Sequence, residues 1–336
     1  MEFWVQRKKG GLALETLLSL ADQVAAAARA AGALVSIPTE IKPLGDQGTE
    51  FSVRIVGPLA RKATPRVTPL SGNPFLPYET ALHVADLPPH HVCLLNKFNV
   101  VDRHLLVVTR DFASQLEPLN ADDFSALAIC LAAADGVGFY NGGPAAGASQ
   151  QHKHLQWIPV PPRDLPLTAQ LETRRDAMAV VLARQSTEAG FKMQLDSQPT
   201  WPYRHGVAHF AVHEFEDESV CGASTGVVVT PEAAARIGAS LERTYRRLLD
   251  TCGLVASSHK LPPYNLLVAR RWMLLVPRRC EFAAGISLNA LAFAGALLVK
   301  DREQWETLRK FGPWRALRTI AFEVDGRPIE PDASTE

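Results

Sequence analysis

The sequence has no surplus of either charge. Lys plus Arg and Asp plus Glu number 35 each in 336 residues, so no whole-molecule field recruits a polyanion, which argues against long nucleic acid as a partner. Any positive potential must be local to a site. Cysteine is sparse: Cys93, Cys130, Cys221, Cys252 and Cys280 are scattered without Cys-x-x-Cys spacing, which argues against a disulfide framework and a structural zinc site. No stretch reaches the uncharged length of about 20 residues that spans a bilayer, so an integral membrane protein is not expected. The basic start around Arg7, Lys8 and Lys9 and the alanine-rich stretch 24–33 resemble a secretory signal only superficially. Glu15, Asp22 and Arg29 interrupt the apolar run, and Leu14, Leu17, Leu18, Ala21, Ala25 and Ala28 follow helical spacing. The spacing predicts an amphipathic helix ending near Gly32, and a reducing cytoplasm is the expected location. At 47% hydrophobic content the chain can bury the core of one large domain or two ordinary ones.

What is there concentrates in one segment. Asn141-Gly142-Gly143-Pro144-Ala145-Ala146-Gly147-Ala148-Ser149 is a glycine-rich loop, and it leads directly into His152-Lys153-His154-Leu155-Gln156. Side chains on a strand alternate, so His152, His154 and Gln156 share one face at roughly 7 Å intervals while Lys153 and Leu155 point the other way. A neutral imidazole attacks phosphorus to give a phosphoramidate, which divides one hard transfer into two easier ones. Backbone N–H groups reach a phosphate where no Cβ intervenes, and Asn141 and Ser149 add neutral donors to the same loop. The pairing therefore points to phosphate chemistry with a histidine nucleophile.

The flanking pattern reads as strands at 51–56, 91–96 and 104–109, a helix at 122–135, and strands at 137–140 and 151–158. Residues 58–77 are proline-rich and basic and read as a loop. Pro159, Pro161, Pro162 and Pro166 end the histidine strand, because proline removes ladder donors. A helix at 169–189 follows, then strands at 207–213, 264–269 and 272–276 with a long helix at 231–250, and a short strand plus helix across 293–311. The second half repeats the element order of the first. His205, His209 and His213 have the spacing of a helical metal site, but their neighbours suggest a strand, where they spread too widely for one ion. His83, His90, His91 and His259 show no partner pattern.

The run Gly-Ala-Ser-Gln-x-His-Lys-His-Leu-Gln at 147–156 resembles the active-site strand of the diadenosine tetraphosphate phosphorylases, or ATP adenylyltransferases, of the histidine-triad superfamily. Asn73-Pro74-Phe75, Leu94-Leu95-Asn96-Lys97-Phe98-Asn99, Phe139-Tyr140-Asn141-Gly142-Gly143, Tyr264-Asn265-Leu266, Trp272 and Val276-Pro277-Arg278 occur in the family's order, so the resemblance covers most of 50–312. It implies an α+β fold: a histidine-triad-like, uridylyltransferase-like antiparallel sheet with flanking helices. The repeated element order, with no second His-x-His-x-Gln strand, reads as a catalytic half with its N-terminal helix at 1–162 and a degenerate half at 163–336, packed as one unit. By the resemblance His154 becomes the nucleophile that takes AMP, His152 its support, and Gln156 the residue where histidine-triad hydrolases carry a third histidine. Asn96 is similar to the asparagine that holds the ribose hydroxyls. Asn141, Gly142, Gly143, Gly147 and Ser149 correspond to the phosphate loop, and Lys62, with Arg54, Arg61 and Arg66 near it in sequence, to the lysine that reaches the distal polyphosphate. Asn73 and Asn265 join the substrate-binding set, although Asn265 reads equally as a strand-end cap.

The activity so implied is phosphorolysis of diadenosine tetraphosphate to ATP and ADP through an adenylyl-histidine. The ligands are a dinucleoside polyphosphate, ATP, ADP and phosphate, with no nucleic acid and no membrane. Magnesium is expected to ride on the polyphosphate, since no carboxylate cluster offers a tight protein-held site. Three alternatives stand beside this reading. A hydrolase passing AMP to water is opposed by Gln156, and a hexose-1-phosphate uridylyltransferase by Lys153, where that family carries proline. A nucleotide sensor without chemistry is the third.

Overall fold

The computed structural model describes residues 16–57, 72–172, 194–196, 201–210 and 229–324. Helix α1 (Leu17–Ala30) begins where the Thr16 hydroxyl accepts from Ser19 N, the capping arrangement that satisfies an otherwise orphaned amide. It buries Leu17, Ala21, Ala25 and Ala28, four positions of the face expected from the spacing, and Gly32 beyond it takes φ +71°.

Strands β3 (His83–Leu87), β4 (His91–Leu95), β5 (Leu105–Thr109), β6 (Val137–Gly142), β7 (His154–Ile158), β8 (Gln194–Asp196), β9 (Gly206–His209), β10 (Tyr264–Val268) and β11 (Trp272–Pro277) form one sheet. Its order is β3-β4-β5-β7-β6-β10-β11-β9-β8, and every adjacent pair is antiparallel. Helices α2 (Ala121–Ala133) and α3 (Pro231–Thr251) pack with α1 on one face, around Leu155, Trp157, Tyr140 and Leu266. Strands covered on both faces need no polar alternation, which is why β11, and β4 and β10 apart from His91 and Asn265, read as apolar runs. The histidine strand is shorter than predicted. The strand starts at His154, while His152 makes only an isolated bridge to Ser114.

A second, smaller sheet lies over the other face. It comprises β1 (Thr39–Asp46), β2 (Thr49–Val56) and β14 (Ala296–Val299), with β14 parallel to β2. β1 and β2 are joined by Gln47 and Gly48, both at positive φ (47° and 78°), the left-handed pair of a tight two-residue hairpin. Short β12 (Phe282–Ala283) and β13 (Ile286–Ser287) pair with each other, and α4 (Arg302–Phe311) and α5 (Pro313–Ile320) complete this layer around Trp314, Phe51 and Phe293. The hairpin partner β1 and helix α5 were not anticipated from the pattern. Most of the helix expected at 169–189, the end of the strand expected at 207–213, and Lys62, Arg61 and Arg66 lie outside the described residues. No described helix is long and apolar enough to cross a membrane.

Candidate active site

The face of β7 away from the helices carries His154 and Gln156, and His152 lies just before the strand. His154 is 5% exposed, and its Nδ1 lies 2.8 Å from the carbonyl oxygen of His152. A carbonyl only accepts, so Nδ1 carries the proton and Nε2 holds the lone pair. Burial is the main cause that pulls the ring's pKa down to about 4, partly opposed by that carbonyl, so the imidazole is neutral at neutral pH. Gln115, 2% exposed, holds the strand in place: its Oε1 accepts from His154 N at 2.8 Å, and its Nε2 donates to Asn141 O and His154 O.

His152 is arranged for support. Asn73 Oδ1 accepts from Phe75 N, which turns Asn73 Nδ2 toward His152 Nδ1 at 2.8 Å. His152 Nε2 then donates to Thr109, with the backbone oxygen at 2.9 Å and Oγ1 at 2.8 Å. Both ring nitrogens are occupied, so His152 offers no free lone pair. Phe75 packs over both rings, at centroid distances of 5.6 and 5.3 Å.

A second chain of bonds sets Gln156. Asn96 Oδ1 accepts from Phe98 N, which leaves Asn96 Nδ2 to donate to His104 Nδ1 at 3.2 Å. His104 Nε2 must therefore carry the hydrogen, and it donates to Gln156 Oε1 at 2.9 Å. Gln156 consequently turns its NH2 group, a donor, away from His104. Burial also brings His104 down to about 4, against the raising effect of Gln156, so this neutral relay persists at neutral pH. His104 was absent from the sequence-derived site. The available signal was its period-two alignment with Leu106 and Val108. Gln115 sits in a loop and carried no signal.

The glycine loop folds on itself more than expected. The N–H groups of Gly143, Ala146, Gly147 and Ala148 donate to Asn141, Gly143, Pro144 and Gly143 oxygens respectively. Ser149 is exposed and lines the cavity, so outward donors begin at Ser149 rather than at Gly142. Gly147, at φ +87°, has Leu288 O 2.9 Å from where a Cβ would stand; left-handed backbone and close approach together require glycine there. Gly142 is similarly pressed by Tyr264. Asn141 Oδ1 accepts from Asn265 Nδ2 and Ala290 N, both at 2.9 Å. Asn265 is wholly buried and also bonds Ala146 O and Arg278, so it is a strut behind the wall rather than a surface a ligand touches.

A cavity of about 590 Å³ lies between the two sheets; of the expected site residues Asn96, Asn141, Gly147, Ser149 and Gln156 line it, whereas His152, His154, Asn73, Gly142, Gly143 and Asn265 do not. Gln156, His104, Asn96, Asn141 and Ser149 form its polar side, while Phe98, Val100, Phe139 and Ile158 supply an apolar slot. Arg54 lines it from β2, half-buried, with Nη1 bonds to Thr39 Oγ1 and Val100 O, and burial lowers its pKa. A volume of this size suits a nucleoside. Among the described residues no group of three His, Cys, Asp or Glu side chains is placed to hold a metal ion.

Comparisons with known proteins agree on the kind of molecule this is similar to. A family model for the Ap4A phosphorylase N-terminal domain matches residues 7–173, and one for the ATP adenylyltransferase C-terminal domain matches residues 199–323. Diadenosine 5',5'''-P1,P4-tetraphosphate phosphorylase 2 of Saccharomyces cerevisiae is 28% identical over 230 residues, 64% of each chain. Protein APA1 of the same organism is 27% identical over 220 residues, 62% of this chain and 61% of its own. The chain thus spans just under two thirds of the length of these curated relatives. The crystal structure of yeast Ap4A phosphorylase Apa2 in complex with Ap4A shares the fold, with a TM-score of 0.65 at 24% identity over 92% of this chain and 98% of that one.

Proposed function

Because the chain belongs to the Ap4A phosphorylase (ATP adenylyltransferase) family, we propose that it splits dinucleoside polyphosphates with inorganic phosphate, through an adenylyl group carried on His154. One observation carries the reading: His154 donates from Nδ1 to the His152 carbonyl at 2.8 Å and is held neutral, which leaves the Nε2 lone pair for attack.

In the first step Nε2 forms a bond to an α-phosphorus of diadenosine tetraphosphate, the bond to the bridging oxygen breaks, and ATP departs. In the second, an oxygen of phosphate bonds to the same phosphorus, the N–P bond breaks, ADP departs and the neutral imidazole returns. His152 stabilises the charge that His154 acquires, because its carbonyl accepts a hydrogen bond from Nδ1–H throughout. The outward NH2 of Gln156 donates to the phosphoryl oxygens or the bridging oxygen, and Ser149 adds a further donor. With Oε1 tied to His104, Gln156 has no basic atom free to activate water, which favours transfer over hydrolysis. The apolar slot takes the adenine, Asn96 borders its ribose, and Lys62 with its arginine neighbours meets the outgoing chain. Magnesium arrives on the polyphosphate. The strand orders β4-β5-β7-β6 and β8-β9-β11-β10 have the same pattern and meet at β6 and β10; we read 163–336 as a degenerate copy of 1–162.

The test is isotope exchange between labelled inorganic phosphate and ADP with no dinucleotide present. An adenylyl-histidine predicts label entering ADP, little AMP, and loss of exchange in His154→Ala. Rapid AMP accumulation without labelled ADP would replace phosphorolysis with hydrolysis. Nucleotide binding with no chemistry would leave a sensor.

A further inference from the structure

Two cations are buried around this site, and they are partnered in opposite ways. Lys153, 3% exposed, places Nζ 3.3 Å from Asp123 Oδ2 and 3.0 Å from Pro118 O. Asp123 also accepts from His91 Nε2 at 2.8 Å. A lysine and an aspartate in contact sum to zero, so this pair adds little net field at the histidines.

Arg278 is 1% exposed, and no carboxylate of the described residues lies within 4.0 Å of it. Its donors all meet neutral oxygens: Ile320 O from Nε at 3.3 Å, Ala146 O at 3.4 Å and Asn265 Oδ1 from Nη1, and Cys280 O at 2.8 Å and Leu288 O at 2.9 Å from Nη2. Glu281, whose negative charge does act on it, offers only its backbone oxygen, at 3.5 Å. Burial pulls the guanidinium down to about 10, which leaves it protonated at neutral pH. An unpaired charge in this setting is costly unless dipoles surround it, and here they do.

Its position gives the charge a use. Ala146 closes the turn of the glycine loop, and Leu288 O is the atom that crowds Gly147. Gly147, Ser149, Ser287 and Asn289 from these two loops line the cavity. Through Asn265 the guanidinium also reaches Asn141. It therefore stands directly behind the wall that the phosphoryl group would face.

We propose that Arg278 is a positioning residue that gives the phosphate side of the cavity a permanent, water-excluded positive charge, for which the nucleotide's phosphate is the counter-ion. This rests on the nucleotidyl-transfer reading above. Its carbonyl bonds hold the two loops together, and its charge makes that wall selective for an anion. Such a charge is screened by salt far less than an exposed lysine.

The test is calorimetric binding of AMP and of adenosine to the full chain, in wild type, Arg278→Met and Arg278→Lys. Arg278→Met should weaken AMP at least ~10-fold more than adenosine, while Arg278→Lys, which keeps the charge, should show a selective loss under ~3-fold. Equal loss of both ligands in Arg278→Met means a purely structural role and overturns the proposal, as does a lysine variant no better than methionine. Should the methionine variant fail to fold, the wild type decides: its AMP-to-adenosine affinity ratio should change less than ~3-fold between 0.05 and 0.5 M salt. A steeper fall assigns the selectivity to exposed cations and overturns it. Wild type that binds adenosine and AMP equally removes Arg278's role but keeps a nucleoside pocket; wild type that binds neither defeats the nucleotide reading itself.

Discussion

At the scale of single residues, the histidines carry the sharpest consequences. An exposed imidazole titrates near 6.5, whereas His154 is pushed to about 4. Single-turnover adenylylation by diadenosine tetraphosphate, quenched in alkali, should therefore be flat from pH 8 to about 5.5 and fall only toward 4. An acid limb at 6.5 would mean that the nucleophile is hydrated. The same shift links to stability. His154 and His104 take up protons in the unfolded chain near 6.5 but in the folded one only near 4. Stability is thus intact above the unfolded value and lost as pH falls through this window, by about 3 kcal/mol for each at pH 4. Urea midpoints of the wild type should drop across it, and His104→Gln should drop less. In turnover, His104→Ala frees Gln156 to rotate and should lower kcat by ~10 to 100-fold with KM changed far less. A rise in KM alone would place His104 in nucleotide binding instead. The histidine-bearing strand was legible because alternation is a local signal. His104, Gln115 and the saturation of Asn265 were hidden, because their bonds to Gln156, Asn141 and Asn141 span 52, 26 and 124 positions.

At the scale of elements, helix packing behind the site is set by one absent side chain. A Cβ on Gly238 of α3 would lie 2.1 Å from Ser125 Oγ and 2.6 Å from Ala121 O of α2. Gly238→Ala should destabilise by about 1–3 kcal/mol, since a well-packed contact must open to admit it, and urea unfolding would show this with the adenylylation rate little changed. An unchanged midpoint would mean that the two helices part without cost. Strands and helices with a buried periodic face were legible: α1, α2, α3 and β4 to β7 lie close to where the pattern put them. β1 was not, because Pro43 and Gly45 interrupt it and its pairing rests on the Gln47-Gly48 turn. The start of α5 was hidden by Pro313, which reads as a break but here occupies the first helical turn, where its missing N–H is harmless.

At the scale of the whole molecule, the large sheet runs without interruption from one half into the other, since β6 pairs with β10 over five residue pairs, from Tyr264↔Gly142 to Val268↔Gly138. Apart from the short β12-β13 pair, each sheet of the described residues draws strands from both halves. Thermal unfolding should accordingly be a single cooperative transition, with calorimetric and van't Hoff enthalpies in agreement. Two resolved transitions would show that the halves are independent. The element order of each half was readable, but the joining of β6 to β10 was not, because it links positions with no periodic relation in the sequence.

The roof over the nucleoside cavity is stitched from both ends of the described chain: β2 near residue 50 pairs in parallel with β14 at Ala296–Val299. A ribosome releases these strands far apart in time. The histidine strand is synthesised and able to join its neighbours long before the strand that closes the pocket leaves the exit tunnel. Nascent chains should therefore acquire the histidine strand first and the closed cavity only once Val299 has emerged, so that a shorter nascent chain is not shielded by a ligand.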